Sequence, residues 1–440
     1  MAFCSLGCSK NLVDTETMMG LLCSAGMEST AERDSADVVF INTCAFIADS
    51  AQESVDTILE FAHDRRAGRI GALVVAGCLA QRYGRSLMEE IPEIDALIGT
   101  GDCDRCVQAV QGALRGERPV LIGDPGFLAQ EGGPRIIATP KHFAYLKIAE
   151  GCANRCSYCL IPSLRGPARS RPVEAIVREA ESLALAGARE LIVIAQDTTA
   201  YGRDLYGRPS LARLLRELAG ARVDGVEWIR VMYTYPSLID DELIEVIAGE
   251  ERIVRYLDIP MQHGSDRVLQ MMNRRSSRAQ MIDVCQRLRE RLPGLVLRTS
   301  LIVGFPGETD EDFRELMDFI HIVRPERAGV FEFSAEEGTR AHDMPGQVPG
   351  EVAAARRGIA MEALARISRE FGESRVGSAA RVIVDGPSDE SDLLVEARSY
   401  TEAPEVDGKV YIGDAELAAG EMVDVVITDA GDYDLVAERA

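Results

Sequence analysis

Short apolar runs of strand length alternate with stretches of helical periodicity over two long parts of the chain, and this alternation limits the possible folds more than any other feature. Within residues 1–120 the strand-like runs are 1–6, 37–42, 72–76 and 95–98, and the helical patterns are 12–25, 50–65, 81–90 and 105–114. Strands that alternate with helices form a parallel sheet with helices on its faces. We therefore predict an open parallel α/β sheet for an N-terminal domain of residues 1–120.

The alternation resumes after a Gly- and Pro-rich stretch that has no clear period, and residues 121–140 are predicted to form a linker. A helical stretch at 350–373 ends this second series. Six strand–helix units predict a partial (β/α)6 barrel of the TIM type for a central domain of residues 141–373. The six strand-like runs are 143–149, 190–195, 228–232, 255–259, 296–303 and 329–333.

Residues 374–440 contain only short apolar runs separated by turn signals. Five strands in so short a segment predict a small antiparallel β-barrel, similar to an OB fold. A chain of 440 residues has the length of about three domains, which agrees with this division. The runs are 381–384, 393–399, 408–412, 422–429 and 434–438.

Composition limits the functions that the chain can have. It is 46% hydrophobic and 27% charged, which is typical of a folded globular protein. It has no run of eighteen apolar residues and no basic segment followed by an apolar one near Met1, so we expect neither a membrane span nor a secretory signal, and a cytoplasmic location. Its formal net charge of −23 predicts no strong nucleic-acid binding, because phosphates are bound by clustered Lys and Arg.

The eleven cysteines include a CxxxCxxC loop, Cys152, Cys156 and Cys159, which directly follows the strand-like run 143–149. In a chain without a secretory signal, cysteines are more often metal ligands, catalytic thiols or core residues than disulfide partners. Three thiolates can hold three irons of a 4Fe–4S cube and leave the fourth iron free for a substrate or cofactor. The alternatives are a chance spacing or a zinc knuckle, but structural zinc needs four ligands and no fourth Cys or His is near in the sequence.

Three other cysteines, Cys8, Cys44 and Cys78, each follow one of three successive predicted strands. The carboxyl ends of parallel strands lie along one edge of a sheet, where ligands bind, so we expect these cysteines to converge. They predict a second cube with one open iron. The alternative is three separate core cysteines, which are common in proteins.

The sequence around these cysteines resembles the radical S-adenosylmethionine (SAM) enzymes, and the whole chain resembles the methylthiotransferase family among them. Members of that family consist of a three-cysteine N-terminal domain, a radical SAM barrel and a C-terminal TRAM domain. Within the family the chain is most similar to the RimO group, which modifies an aspartate of ribosomal protein S-twelve, and less to the MiaB group, which modifies an adenosine of transfer RNA. The stretches that carry the resemblance are 5–14, 152–159, 161–163, 195–198, 256–263 and 336–339.

The resemblance implies the cofactors and the reaction. The open iron of the Cys152/Cys156/Cys159 cluster would bind SAM, and its one-electron cleavage would give a 5′-deoxyadenosyl radical that abstracts hydrogen from an unactivated carbon. The open iron of the other cluster would hold the sulfur, to which a second SAM gives its methyl group. The product would carry a methylthio group on the β-carbon of an aspartate. The family thus implies two 4Fe–4S clusters, SAM, and an electron donor that the sequence does not identify.

Side chains at the ends of the barrel strands are further candidates for binding SAM. Gln196 and Asp197 would meet its amino group and ribose, and the stretch 300–307 resembles the glycine motif that the family places beside the adenine, although its glycines are equally explained as turn residues. Arg298 lies inside a predicted strand and either faces the SAM carboxylate or an acidic substrate, or belongs to a structural ion pair. The full candidate set is Tyr158, Gln196, Asp197, Arg298, Ser300, Gly304 and Phe305.

The net charge of the C-terminal domain helps to distinguish a protein substrate from a transfer RNA substrate. Residues 375–440 contain five basic and sixteen acidic side chains, a net charge of −11. An RNA-binding domain should be basic, whereas an acidic one suits a basic ribosomal protein, although an acidic surface can also serve solubility alone. An iron–sulfur scaffold or electron carrier without SAM chemistry is the weakest hypothesis, because such proteins rarely leave irons open. We expect the ribosomal protein to dock on the acidic residues of two predicted turns, Asp389, Glu390, Asp392, Glu402, Glu405 and Asp407.

Overall fold

The computed structural model of the chain describes residues 1–32, 36–128 and 133–440. Residues 2–121 form a parallel sheet of five strands in sequential order, with helices on both faces. Its strands are β1 (Ala2–Ser5), β2 (Val38–Thr43), β3 (Ala72–Gly77), β4 (Ala96–Ile98) and β5 (Val120–Leu121). Its helices are α1 (Ser9–Ser24), α2 (Ala48–Arg66), α3 (Cys78–Tyr83), α4 (Arg85–Glu90) and α5 (Cys106–Leu114). The predicted open α/β sheet is confirmed.

The segment predicted to be a linker is more ordered than its composition suggests. Leu121 belongs to β5 and pairs with Ile98, a strand too short to show a sequence period. Further on, the Arg135 guanidinium binds Glu16 of α1 at 2.6 Å and also contacts Glu179, so this stretch is fixed by buried ion pairs. Residues 129–132 of the predicted linker lie outside the described residues.

The central part of the chain forms a six-stranded parallel sheet in the order β6-β9-β10-β11-β12-β13, which remains open between its first and last strands. It confirms the predicted partial barrel. Its strands are β6 (Phe143–Lys147), β9 (Glu190–Ile194), β10 (Trp228–Val231), β11 (Ile253–Asp258), β12 (Val296–Val303) and β13 (Arg327–Glu332). Two short strands outside this sheet, β7 (Ala149–Glu150) and β8 (Arg169–Ser170), pair antiparallel with each other. The helices are α6 (Ile161–Arg165), α7 (Val173–Leu185), α8 (Arg203–Tyr206), α9 (Leu211–Gly220), α10 (Asp241–Gly249), α11 (Asp266–Met271), α12 (Arg278–Arg291), α13 (Asp310–Val323) and α14 (Gly350–Glu373).

The C-terminal part forms a closed five-stranded barrel, β14 (Ala379–Pro387), β15 (Val395–Ser399), β16 (Val410–Ile412), β17 (Met422–Ala430) and β18 (Leu435–Arg439). Four of its five strand pairs are antiparallel, but β16 and β18 pair in parallel and close the barrel, which the sequence did not predict. Closure leaves no free sheet edge in this barrel. No helix in the described ranges is long and apolar enough to span a lipid bilayer.

The C-terminal barrel packs against the inner face of the central sheet. Alternate residues of β6 face opposite ways, and Phe143 and Tyr145 on the inner face share a buried cluster with Ile383 and Ala403. Buried ion pairs reinforce this contact: Glu190 of β9 accepts hydrogen bonds from Arg230 at 2.6 Å and from Arg398 at 2.7 Å. The two parts are therefore joined by apolar packing and by ionic contacts that exclude water.

This contact corrects the prediction for two of the six docking residues, Glu402 and Asp407. Glu402 is fully buried and paired with Arg327 at 2.8 Å, and the carboxylate of Asp407 accepts a hydrogen bond from the Tyr256 hydroxyl at 2.5 Å. Glu405 lies at the rim and accepts a hydrogen bond from Tyr145 at 2.8 Å. Glu402 and Asp407 therefore bind the central barrel rather than a partner, because the loop that carries them faces the sheet, whereas Glu405 stays exposed. The other three, Asp389, Glu390 and Asp392, are exposed.

Candidate active site

The cysteines of the N-terminal sheet lie where three successive strands end. Cys8 is the residue before α1, Cys44 follows β2, and Cys78 is the first residue of α3, directly after β3. Burial raises the pKa of Cys78 to about 11; Arg165 opposes this, while Cys44 and Cys8 add to it. Since β1, β2 and β3 are neighbouring parallel strands, the fold brings the three cysteines that follow them to one edge of the sheet.

A glycine makes this convergence possible. Gly7 has a φ of 87°, and a Cβ atom placed on it would lie 2.6 Å from Cβ and 2.9 Å from Sγ of Cys44. Any side chain would therefore push the two cysteine-bearing loops apart and would also strain the left-handed backbone. Gly7 lets the loop of Cys8 rest directly on Cys44.

The second set, Cys152, Cys156 and Cys159, lies in the loop between β7 and α6. The Cys152 backbone N–H donates to the Gly166 carbonyl at 3.1 Å, which ties the start of the loop to the end of α6. Burial raises the pKa of Cys159 to about 12, with Cys156 and Cys152 adding to it, so these three thiols also lie close together. The Arg274 guanidinium is 3.8 Å from the Cys156 sulfur.

Both sets suit an iron–sulfur cube. Among the described residues, no three His, Cys, Asp or Glu side chains converge as tightly as a single metal ion requires. A cube does not require that, because each thiolate binds a different iron. Each set also has an arginine beside one sulfur, Arg165 at Cys78 and Arg274 at Cys156, and such cations stabilise negatively charged thiolates. The donor atoms and their surroundings thus fit the cluster that the sequence predicts.

A buried charge network extends from Cys78 to Glu150, the residue before the loop that carries the second cysteine set. Arg165, at the end of α6, lies 3.6 Å from the Cys78 sulfur and ion-pairs with Asp14 of α1 and with Glu150 of β7. Lys147 of β6 binds the same two carboxylates, at 2.8 Å in the case of Glu150. Burial by itself would raise the pKa of Glu150, but Lys147 and Arg165 lower it to about 2. The network holds the N-terminal sheet against the central barrel between the two sets.

Sequence analysis did not single out these charged residues. A signal was present, because Lys147 interrupts the apolar strand-like run 143–149 and Glu150 follows it directly. Charged side chains in such a run are costly to bury unless they are paired. Asp14 could not be connected to them from the sequence, because it lies more than a hundred residues away along the chain, and no local pattern links Arg165 to Glu150.

Gln196 and Asp197 lie at the barrel mouth, the edge formed by the carboxyl ends of the six central strands. Gln196 donates through Nε2 to Glu150 at 2.5 Å, whereas its Oε1 is buried without a partner in the described residues. Asp197 accepts a hydrogen bond from the Asn154 amide at 2.7 Å, inside the second cysteine loop. A cleft of about 470 Å³ opens here, lined among others by Asn154, Asp197 and Arg275. An unpaired acceptor beside a cleft of this size suits a ligand with an ammonium group.

Two other predicted SAM contacts, Arg298 and Phe305, have side chains that contact other residues of the protein. Arg298 binds Asp258 at 2.9 Å and Asp407 at 3.5 Å, so of the two alternatives weighed for it the structural ion pair is the one present. Phe305 is fully buried against Phe333, which makes its side chain part of the core.

The remaining predicted SAM contacts are Tyr158, Ser300 and Gly304. Tyr158 packs on the hydrophobic cluster that contains Phe305, and Ser300 accepts a hydrogen bond from the Gln262 N–H at 2.9 Å through its backbone carbonyl. Gly304 lies against Ala353 of α14, and a Cβ atom on it would be 2.5 Å from the Cβ of that residue. Its φ of 75° also agrees with the alternative explanation of these glycines as turn residues, while a contact of Gly304 with SAM stays a prediction.

Three protein-family descriptions match this chain and together span most of it. Residues 146–320 match the Radical SAM superfamily, residues 376–439 match the TRAM domain, and residues 1–99 match the uncharacterized protein family UPF0004. These three ranges contain, in turn, the second cysteine set, the closed C-terminal barrel and the first cysteine set.

Relatives resemble the chain over its full length. It is 52% identical over 435 residues to the ribosomal protein uS12 methylthiotransferase RimO of Pelotomaculum thermopropionicum, an alignment that covers 99% of this chain and 98% of the relative. The protein of the same name from Geobacter sulfurreducens is 49% identical, with 99% and 97% covered. Such identity over whole chains leaves no domain of either relative unmatched.

Solved structures share the fold at low sequence identity. The radical S-adenosylmethionine methyltransferase TsrM from Kitasatospora setae aligns with a TM-score of 0.56 and 16% identity over 75% of this chain and 72% of its own. The cobalamin-dependent S-adenosylmethionine radical enzyme OxsB aligns with a TM-score of 0.51 and 14% identity, covering 83% of this chain and 56% of its own. These likenesses support the arrangement of the sheets.

Proposed function

The chain belongs to the RimO family of methylthiotransferases for ribosomal protein uS12, called S-twelve above, and from this premise we propose that it attaches a methylthio group to the β-carbon of an aspartate in that protein. It is a radical SAM transferase whose cofactors are SAM and 4Fe–4S clusters. The observation that carries the proposal is the pair of three-cysteine sets, one at the ends of three parallel strands and the other in the loop after β7. Arg165 links Cys78 of the first set to Glu150, which lies two residues before Cys152 of the second. Replacing hydrogen by sulfur on an unactivated carbon needs both a radical source and a sulfur carrier.

The two cysteine sets divide this work. Cys152, Cys156 and Cys159 hold one cluster at the barrel mouth, and Cys8, Cys44 and Cys78 hold the other at the edge of the N-terminal sheet. When bound, the clusters and SAM supply the radical, sulfur and methyl chemistry that side chains lack. The chain would bind and orient these groups: the buried Oε1 of Gln196, which has no partner in the described residues, would accept from the SAM ammonium, and the neighbouring Asp197 lines the cleft.

The substrate is a protein rather than a nucleic acid. Relatives that are about half identical over the whole chain carry the uS12 name, so modification of transfer RNA, as in the MiaB group, is not favoured. Of the predicted docking residues, Asp389, Glu390 and Asp392 lie exposed in one turn of the C-terminal barrel and suit a basic ribosomal protein through complementary charge. A reaction on a ribosomal protein takes place where ribosomes are assembled, in the cytoplasm, with an electron donor from the cell.

Mass spectrometry of small-subunit ribosomal proteins tests the proposal directly. The proteins are compared between a strain that contains the gene, one that lacks it, and one that is complemented. We expect a single uS12 peptide to lose about 46 mass units when the gene is absent, the mass of a methylthio group that replaces hydrogen. Fragmentation of that peptide assigns the modified aspartate. An unchanged uS12 together with a loss of mass from transfer RNA would overturn the proposal.

A further inference from the structure

Lys10 is a buried cation that no carboxylate of the described chain neutralises. Its side chain is 7% exposed, and its Nζ atom lies 2.8 Å from the ring centre of Tyr233. No ion pair among the described residues includes it, whereas Lys147, which is equally buried, binds two carboxylates. Burying an unpaired ammonium is unfavourable, and contact with one aromatic ring compensates only part of that loss. Such a charge is therefore suited to an anion that arrives from outside.

The position of Lys10 limits what that anion can be. It is the second residue of α1 and lies two residues after Cys8. Tyr233 comes two residues after β10, at the barrel mouth, where its N–H donates to Asp258 at 3.1 Å and its carbonyl accepts from Thr198 at 3.0 Å. The ammonium thus lies between the first cysteine set and the ends of the barrel strands, above a ring that the backbone holds in place.

We propose that Lys10 binds the side-chain carboxylate of the substrate aspartate and so selects aspartate as the residue to be modified. The inference rests on the proposed function. The β-carbon that receives sulfur is bonded directly to the carboxyl carbon, so a cation for that carboxylate has to lie beside the cysteine set that delivers sulfur. Lys10 is on the helix that begins after Cys8, whereas the residues assigned to SAM follow β7 and β9. A neutral asparagine would leave the ammonium unpaired, and this gives discrimination by charge.

Equilibrium binding of two peptides tests the proposal. One is a labelled uS12 peptide with the aspartate that mass spectrometry identifies, and the other has asparagine in its place. With the reconstituted wild type we expect at least about tenfold tighter binding of the aspartate peptide, since a hydrogen bond to a charged group contributes about 1.5–3 kcal/mol. Lys10→Met should weaken binding of the aspartate peptide about tenfold and leave the asparagine peptide unchanged. Lys10→Arg, which keeps the charge, should retain a preference for aspartate.

Lys141→Met is the matched control, because Lys141 is exposed; it should leave the affinities for both peptides unchanged. Thermal unfolding checks the fold: Lys10→Met removes an unpaired buried charge, so it should be at least as stable as the wild type. A Lys10→Gln variant, which keeps a polar end without the charge, should show the same loss of preference as Lys10→Met.

Three results would overturn the inference. In the first, Lys10→Met keeps the preference for aspartate. In the second, this variant weakens SAM binding in equilibrium dialysis and leaves the peptide preference intact, which would assign Lys10 to the SAM carboxylate. In the third, the wild type methylthiolates uS12 but binds both peptides equally, and then the proposed function stands while the role of Lys10 fails. If the wild type neither binds nor modifies the aspartate peptide, the proposed function itself is wrong and the inference falls with it.

Discussion

Single residues decide whether the cysteine sets can form. Gly7 touches Cys44 so closely that no side chain fits, and its φ of 87° is one that other residues adopt only under strain. Arg165 and Arg274 each place a cation beside one sulfur. A cluster site in this chain therefore depends on residues between and beside the ligands as well as on the cysteines.

Gly7→Ala should remove one cluster and leave the other. The added Cβ would push Cys44 away from Cys8, so we expect the reconstituted variant to hold about half the iron of the wild type. Gly26→Ala is the matched control, because Gly26 also has a φ of 87° but has no atom within 4 Å of the added Cβ. It should suffer the same backbone strain, about 1–2 kcal/mol, and keep all of its iron. Equal iron contents in the two variants would contradict the steric argument.

The two cysteine sets should have different functions, and replacing one set at a time should show which function each has. Two full clusters correspond to about eight irons per chain. Replacing Cys152, Cys156 and Cys159 together by Ala should leave about half of that iron and abolish the formation of 5′-deoxyadenosine from SAM under dithionite. If this triple variant still formed deoxyadenosine, the assignment of the radical site would be wrong.

Replacing the other set, Cys8, Cys44 and Cys78, by Ala should also leave about half the iron, but with the opposite effect on the reaction. SAM cleavage should persist, because it depends on the cluster at the barrel mouth, whereas methylthiolated peptide should no longer form. Peptide products are followed by mass spectrometry. Methylthiolation by this variant would disprove the division of labour.

At the scale of elements, three short pieces of structure bring the two cysteine sets together. The N-terminal half of α1 supplies Asp14, β6 supplies Lys147, and α6, only five residues long, supplies Arg165. Their side chains are all buried at the contact between the N-terminal sheet and the central barrel. A buried group of paired charges has a favourable energy only while every member keeps its partners.

Arg165→Met should destabilise this contact strongly. It leaves Lys147 as the only cation paired with Asp14 and Glu150 among the described residues, and breaking a buried ion pair from one side costs about 3–5 kcal/mol. Trp228, the single tryptophan of the chain, lies on the inner face of the central sheet, so its fluorescence in urea follows the unfolding of the barrel. Arg213→Met is the control, because its exposed pair with Glu174 spans 4.0 Å and should contribute at most about 1 kcal/mol. Equal midpoints for the two variants would show that the buried network does not stabilise the contact.

At the scale of the whole molecule, the C-terminal barrel has two faces with different roles. One face inserts Glu402 and Asp407 against the inner surface of the central sheet, where they meet Arg327 and Arg298. The exposed turn around Asp389 lies in the connection between β14 and β15. Acidic composition alone could not distinguish these faces, because both contribute to the same net charge.

The exposed acidic turn should determine how fast uS12 binds. Changing Asp389, Glu390 and Asp392 to Lys should weaken binding of labelled uS12, chiefly through a slower association rate, and should remove much of its salt dependence. Charges interact over about 8 Å at physiological ionic strength and over about 3 Å at 1 M, so a salt series measured by stopped flow reveals the effect.

A control changes the same number of charges elsewhere on the molecule. Glu290, Glu362 and Glu373 are exposed residues of α12 and α14, and their replacement by Lys should alter the association rate much less. An equal loss in the two variants would show that net charge, and not this turn, attracts the substrate.

The sequence by itself determined the fold class of all three parts of the chain and the two sets of cysteines. Alternating apolar runs identify parallel strands because each such strand is followed by its helix, and the same rule places a residue that ends a strand at the edge of the sheet. Cys8, Cys44 and Cys78 could therefore be predicted to converge although they lie far apart in the chain. Their role as cluster ligands stays a prediction.

Only the tertiary structure decided which charges pair and which remain free. For Arg298 the sequence left a ligand contact and a structural ion pair open, and Glu402 was predicted to meet a partner, but Asp258 and Arg327 pair with them inside the molecule. Lys10 gave no signal of its own in the sequence, and it is distinguished only because the described fold buries it without a carboxylate. Whether a charge is satisfied depends on atoms that long loops and separate domains bring within a few ångströms, and no local pattern of the sequence records those distances.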